Sequence, residues 1–133
     1  MTVDTQSLVQ KIESAAQGLL FPSESDFPIE PFIYGEQEPT PEGLRKRQGL
    51  GPDVPIEETT LASLFEGLIE AEEDASERER ASAERFCNLM KVLAQNLEDV
   101  RVYRIGEVDI EVLVLGRDAS GTWMGVRTNV VET

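Results

Sequence analysis

Between positions 107 and 115 apolar and acidic residues alternate, with Val108, Ile110, Val112 and Val114 on one face and Glu107, Asp109 and Glu111 on the other. Successive side chains of a strand point to opposite faces, so a period of two describes a half-buried strand and not a helix. Such a strand needs neighbours to pair with and a layer to cover its apolar face. The neighbours flank it in the chain: residues 100–105 lie across Gly106, and residues 122–131 across a six-residue turn at 116–121. The second connection is short enough to predict antiparallel pairing.

The covering layer is legible as helices. Residues 76–97 place Ala83, Phe86, Met90, Leu93 and Leu97 on one face, widened by Leu89, and keep Glu77, Arg78, Glu79 and Arg80 off it. Near the start, Leu8, Val9, Ile12, Ala15, Ala16 and Leu19 form a second stripe, with Asp4 or Thr5 available as cap and Gly18 as terminator. Thr40 can cap a short helix over Pro41–Gln48, because Pro41 is pre-set for the first helical position, and Arg45, Lys46 and Arg47 suit its last turn. Leu61, Leu64, Phe65, Leu68 and Ile69 restore helical spacing before a solvated acidic run at 70–74. Residues 29–34 read as a strand which Pro31 confines to a sheet edge, and residues 19–28, with two prolines, as a shaped polar loop. These elements predict one α+β domain over 1–133, a mostly antiparallel sheet of about four strands with helices over one or both faces. Phe86, Met90, Leu93, Val108, Ile110 and Val112 are expected in one core.

Composition narrows the function. There are 26 Asp and Glu against 12 Lys and Arg, a net charge of -14, so phosphates are repelled and nucleic acid is not the expected ligand. A basic protein surface is attracted instead. No histidine is present, which removes the commonest general base and zinc ligand, and no cofactor is expected. Cys87 is the lone cysteine and reads as a small core residue at the edge of a helix stripe. The first residues resemble no signal peptide and no stretch is long enough to span a bilayer, so a soluble, cytoplasmic protein without membrane contact is expected. Asp109 and Glu111 share a strand face, a spacing used by some hydrolases, but alternating acids also keep an exposed sheet surface solvated.

Two segments stand out as binding candidates. Ser23, Glu24, Ser25 and Asp26 lie in a proline-bounded loop that can hold an acid out at modest entropic cost. At the other end a strand-like segment runs straight into Glu132 and Thr133. In these stretches the chain resembles the nuclease A inhibitor-like family: Gly18-Leu-Leu-Phe-Pro-Ser-Glu-Ser-Asp-Phe-Pro28, the helix around Phe86 to Leu97, Val102-Tyr-Arg-Ile-Gly-Glu-Val-Asp-Ile-Glu-Val112 and the closing Val130-Val-Glu-Thr133. The resemblance implies a three-layer α-β-α sandwich and a non-enzymatic inhibitor of a nonspecific DNA/RNA endonuclease of the ββα-metal type. It further implies that Thr133 lies at the nuclease's magnesium, that Glu24 meets an active-site arginine, and that Ser23, Ser25 and Glu132 belong to the same partner-binding surface. Family members carry an aromatic in the loop before the long helix, whereas residues 70–76 here hold none. The alternative function is an acidic adaptor that binds another basic protein without inhibiting it.

Overall fold

The computed structural model describes residues 5–133, so the expected cap at Asp4 lies outside the described residues. Helix α1 (Thr5–Ala16) opens the described chain and buries Leu8, Ile12, Ala15 and Ala16. It ends where Gly18 adopts a positive φ of 76°, and Arg85 of the long helix donates to the carbonyls of Ala15 and Gln17 at that end. Thr5 gives its hydroxyl to Asp118 Oδ2, at 2.6 Å.

The stretch expected as a loop at 19–28 contains a small antiparallel ribbon, β1 (Leu20–Phe21) with β2 (Phe27–Pro28). Phe21 is buried and anchors it. Next come β3 (Glu30–Gly35), α2 (Pro41–Gln48), β4 (Ile56–Thr59) and α3 (Leu61–Leu64). Thr40 caps α2 by accepting from Gly43 N–H, and Gly49 closes it in the left-handed conformation at φ 66°. The helical spacing from Leu61 to Ile69 yields only one turn, because Gly67 takes a φ of 81° just beyond it. Phe65 nevertheless turns fully inward and meets Phe86 edge to face, with ring centroids 6.2 Å apart.

Helix α4 (Glu77–Asn96) matches its expected bounds, and its start has a physical cause. Ser76 accepts from Glu79 N–H at 3.1 Å while Glu79 accepts from Ser76 N–H at 3.4 Å, a reciprocal capping box. The chain then enters β5 (Glu98–Ile105) through a bulge at which Asp99 sits at φ 53°, a region that Asp tolerates better than most residues. Strands β6 (Asp109–Arg117) and β7 (Trp123–Val131) complete an antiparallel sheet in the order β3-β7-β6-β5-β4.

The sheet thus has five strands, where about four were expected. The missed strand is β4, whose Ile-Glu-Glu-Thr sequence buries no side chain and shows no apolar alternation. It is an edge strand, ordered by pairing with β5 and not by its own pattern. Pro31 does sit on the opposite edge strand, β3. Both faces of the sheet carry core. One face joins Val102, Ile110, Val112, Val114, Met124, Val126 and Val130 to α1, Phe65 and α4. The other gathers Tyr34, Tyr103, Ile105, Leu113, Leu115 and Trp123 under Leu44 of α2.

Of the six residues expected in one core, Phe86, Leu93, Ile110 and Val112 are buried together and Met90 is half-buried against them. Val108 is a correction. It lies in the turn between β5 and β6 and is 48% exposed, because β6 begins at Asp109 and not at 107. The turn between β6 and β7 is correspondingly shorter than expected, spanning 118–122.

That turn is organised by Asp118, a buried carboxylate. Its Oδ1 accepts from Ser120 N–H, the Ser120 hydroxyl and Thr122 N–H at 2.9, 2.6 and 3.0 Å, and its Oδ2 accepts from Thr5. Burial pushes its pKa up, but the hydroxyls of Ser120 and Thr5 and the two backbone N–H groups outweigh this and hold it below 3.8. A carboxyl with a depressed folded-state pKa adds stability above its unfolded value and loses it as pH falls through the folded one. Asp118→Ala should therefore cost about 2 kcal/mol at neutral pH by removing the buried carboxylate whose charge-assisted hydrogen bonds hold the turn and Thr5 together. Urea unfolding of both proteins at neutral pH and near pH 2 checks this: the difference between them should shrink in acid.

Candidate partner-binding site

The β1–β2 ribbon is pinned to β7, since Thr128 donates its hydroxyl to the Pro28 carbonyl at 2.9 Å. This sets the loop at 22–26, with its Ser-Glu-Ser-Asp sequence, against the last residues of the chain. Glu24 N–H donates to the Val131 carbonyl at 3.3 Å, and Val131 N–H donates to Ser23 Oγ at 3.1 Å. Ser23 in turn donates its hydroxyl to the Ser25 carbonyl and accepts from Ser25 N–H, which keeps the loop tight.

Beyond Val131 the chain is held by side chains. Thr133 N–H donates to Glu24 Oε2 at 2.6 Å, and the Thr133 hydroxyl lies 2.8 and 2.9 Å from the two carboxylate oxygens. One proton shared between two anionic oxygens, together with an amide aimed at one of them, makes a charge-assisted clamp. Oε2 meets both the amide and the hydroxyl while Oε1 meets the hydroxyl alone, and the Glu24 side chain is exposed, so the carboxylate's capacity to accept is not exhausted, chiefly at Oε1. Glu132 turns to the other side: its N–H donates to the Val108 carbonyl at 3.0 Å and its Oε1 accepts from Arg104 at 2.5 Å. A shallow recess of about 360 Å³ lies among Ser23, Glu24, Arg104, Val130, Glu132 and Thr133, so the Arg104–Glu132 pair and the Glu24–Thr133 clamp border the same space.

Ser23, Glu24, Ser25, Glu132 and Thr133, more than a hundred residues apart along the chain, are therefore brought to one place. Arg104 and Val108 belong to that place too and were not foreseen. Their only signal is the strand register, which pairs Asp109 with Val131 and so lays the chain end beside the β5–β6 turn. Asp109 and Glu111 do not join this cluster; Glu111 accepts instead from Gln48 of α2, at 2.6 Å. The acids at 70–74 are exposed, as expected. Among the described residues no group of three or more His, Cys, Asp or Glu could hold a metal ion, and no helix is long and apolar enough to cross a membrane.

By family comparison the chain falls among nuclease inhibitor-like proteins. Residues 6–133 match the family described as nuclease A inhibitor-like protein, and the chain belongs to that family. No curated protein matches it.

The clamp has a consequence in the isolated protein. Glu24→Ala removes the acceptor of the Thr133 amide without touching the core, so thermal stability should change little while Thr133 N–H loses its protection. Amide exchange at Thr133 faster by roughly tenfold is the expected result; unchanged exchange would show that the clamp does not persist in solution.

Proposed function

We propose that this chain is a non-catalytic inhibitor of a nonspecific DNA/RNA endonuclease of the ββα-metal type, and that it binds across the basic, magnesium-containing active site. Family membership supports inhibition of a nuclease. The observation that carries the mechanism is the clamp of Thr133 on Glu24, because it presents an ordered cluster of oxygens at an exposed strand end.

Magnesium takes hard oxygen ligands in near-octahedral geometry and gives up its water reluctantly. In a chain ending at Thr133, the terminal carboxylate and the hydroxyl offer such oxygens to the nuclease's ion, directly or through its water, and the inhibitor needs no metal site of its own. An arginine that normally grips phosphate finds in Glu24 a planar anion of matching geometry, which accepts through the lone pairs that Thr133 leaves open. Ser23 and Ser25 shape the loop that holds Glu24 out, and Glu132 belongs to the same surface. The partner thus meets an imitation of its phosphate substrate with no bond to cut. The rest of the domain, 1–133, is the platform, layered α-β-α with α1 and α4 on one face of the sheet and α2 on the other. The net charge of -14 draws a basic groove in from a distance.

The test is titration of a ββα-metal nuclease with the protein ending at Thr133, with one lacking Thr133, and with one extended by several residues. Removing Thr133 moves the carboxylate back by about 3 Å or more, and extension converts it to an amide inside a closed site. Either change should weaken inhibition by about thirtyfold or more, the usual consequence of losing a central desolvated contact. Equal inhibition by all three proteins would sink the active-site plug. No inhibition by any would favour the acidic adaptor. The association rate should also fall as salt rises, which stopped-flow mixing across ionic strengths can measure.

A further inference from the structure

Glu132 lies between the two residues that lock onto the 22–26 loop, yet its side chain goes elsewhere. We propose that Arg104 and Glu132 form a positioning pair that holds the chain end in the orientation in which Thr133 closes on Glu24, and that Glu132 is not itself a contact to the nuclease. The proposal rests on the inhibitory function given above and deepens it by changing the role of one residue.

The geometry supports it at three points. Val131 is the last residue of β7 in the ladder, so Glu132 and Thr133 have no strand partner to order them. What replaces the ladder is a tether on each side: the loop binds Val131 and Thr133, while Arg104 and the Val108 carbonyl bind Glu132. Arg104 stands on β5, a strand paired on both sides and separated from β7 by β6, and reaches across that central strand. Among the ion pairs of the described residues, the Arg104 side chain is the least exposed cation, at 22%, and its contact, at 2.5 Å, is the shortest. An ion pair with one partner largely withdrawn from water is less screened than one on the open surface. A tail ordered before the partner arrives does not lose that freedom on binding, and its affinity is higher for it.

The opposite role for Glu132, a direct contact, predicts a different sign. If Glu132 met the nuclease's cations, then removing Arg104 would free a carboxylate and leave inhibition equal or tighter. If the pair positions the tail, Arg104→Met and Glu132→Gln should each weaken inhibition, by roughly tenfold. The double variant should then be no weaker than either single one, since both remove the same tether. Arg104→Lys should restore part of the loss. The second readout needs no nuclease: ¹⁵N relaxation of Thr133 in the free protein should show lower order in Arg104→Met and in Glu132→Gln, in samples whose other amide signals confirm the fold. Unchanged order at Thr133 would overturn the proposal whatever the inhibition shows, and so would tighter inhibition by Arg104→Met or additive losses in the double variant. Should the unaltered protein inhibit no nuclease, the inhibitory function fails separately, while the relaxation measurement still decides whether Arg104 orders the chain end.

Discussion

Nine consecutive residue pairs, from Asp109 with Val131 to Arg117 with Trp123, join β6 to β7, and the other elements take their places around that ladder. It is buried on both sides over most of its length: Val112, Val114, Met124 and Val126 face α1 and α4, and Leu113, Leu115 and Trp123 face the opposite way. A strand pair buried on two faces cannot slip by one residue without exchanging its two apolar sets, so its register is strongly specified. Gly125 marks how closely the two strands approach, since a Cβ there would lie 1.9 Å from the Val114 carbonyl oxygen. The same register decides where the chain finishes. Because Asp109 faces Val131, the residues beyond Val131 emerge beside the β5–β6 turn and the 22–26 loop and nowhere else.

Charge is arranged around this frame and not merely in excess. Among the few cations, Arg47 lies over the Tyr34 ring, Arg101 and Arg117 lie over Trp123, and Arg127 over Phe32. Long arginine stems cover apolar rings while their heads pair with acids such as Glu38, Glu98 and Glu30. These cations serve the second face of the sheet and are not spread evenly among the acids. Near the chain end only Arg104 lines the recess, and it is engaged by Glu132. Glu24, with Asp26 close by in the same exposed loop, is left without a basic partner among the described contacts. Its carboxylate is stabilised instead by neutral donors from Thr133, which orient it and leave its charge uncompensated. A partner that brings cations to that spot gains the attraction which the protein itself has not used.

Long periodic elements were the legible part of the fold. Helix α4 was readable from its stripe, and α2 from Thr40 and Pro41, because caps and periodicity act over a few residues. Pro31 announced an edge strand for the same local reason. What failed was decided across the chain. Strand β4 has no pattern of its own and exists because β5 offers it hydrogen bonds. The β1–β2 ribbon is two residues wide on each side and is kept by Phe21 and by Thr128 from β7. Val108 continues the alternation of β6 perfectly well but falls in the turn, since alternation shows which face a residue would take and not where pairing stops.

For the site the division is similar. The sequence by itself determined that the protein is acidic and α+β, that an acid stands in a proline-bounded loop, and that the chain finishes on a strand-like segment with Glu132 and Thr133. The family resemblance implied a shared role for those two segments. Only the tertiary structure decided that they touch, that Thr133 closes on Glu24, and that Glu132 turns away to Arg104. The physical reason is range. Helix caps, turn residues and hydrophobic periods are written in neighbouring positions, whereas a carboxylate on residue 24 finds the amide of residue 133 only after a sheet register and a buried core have brought both strands' ends together.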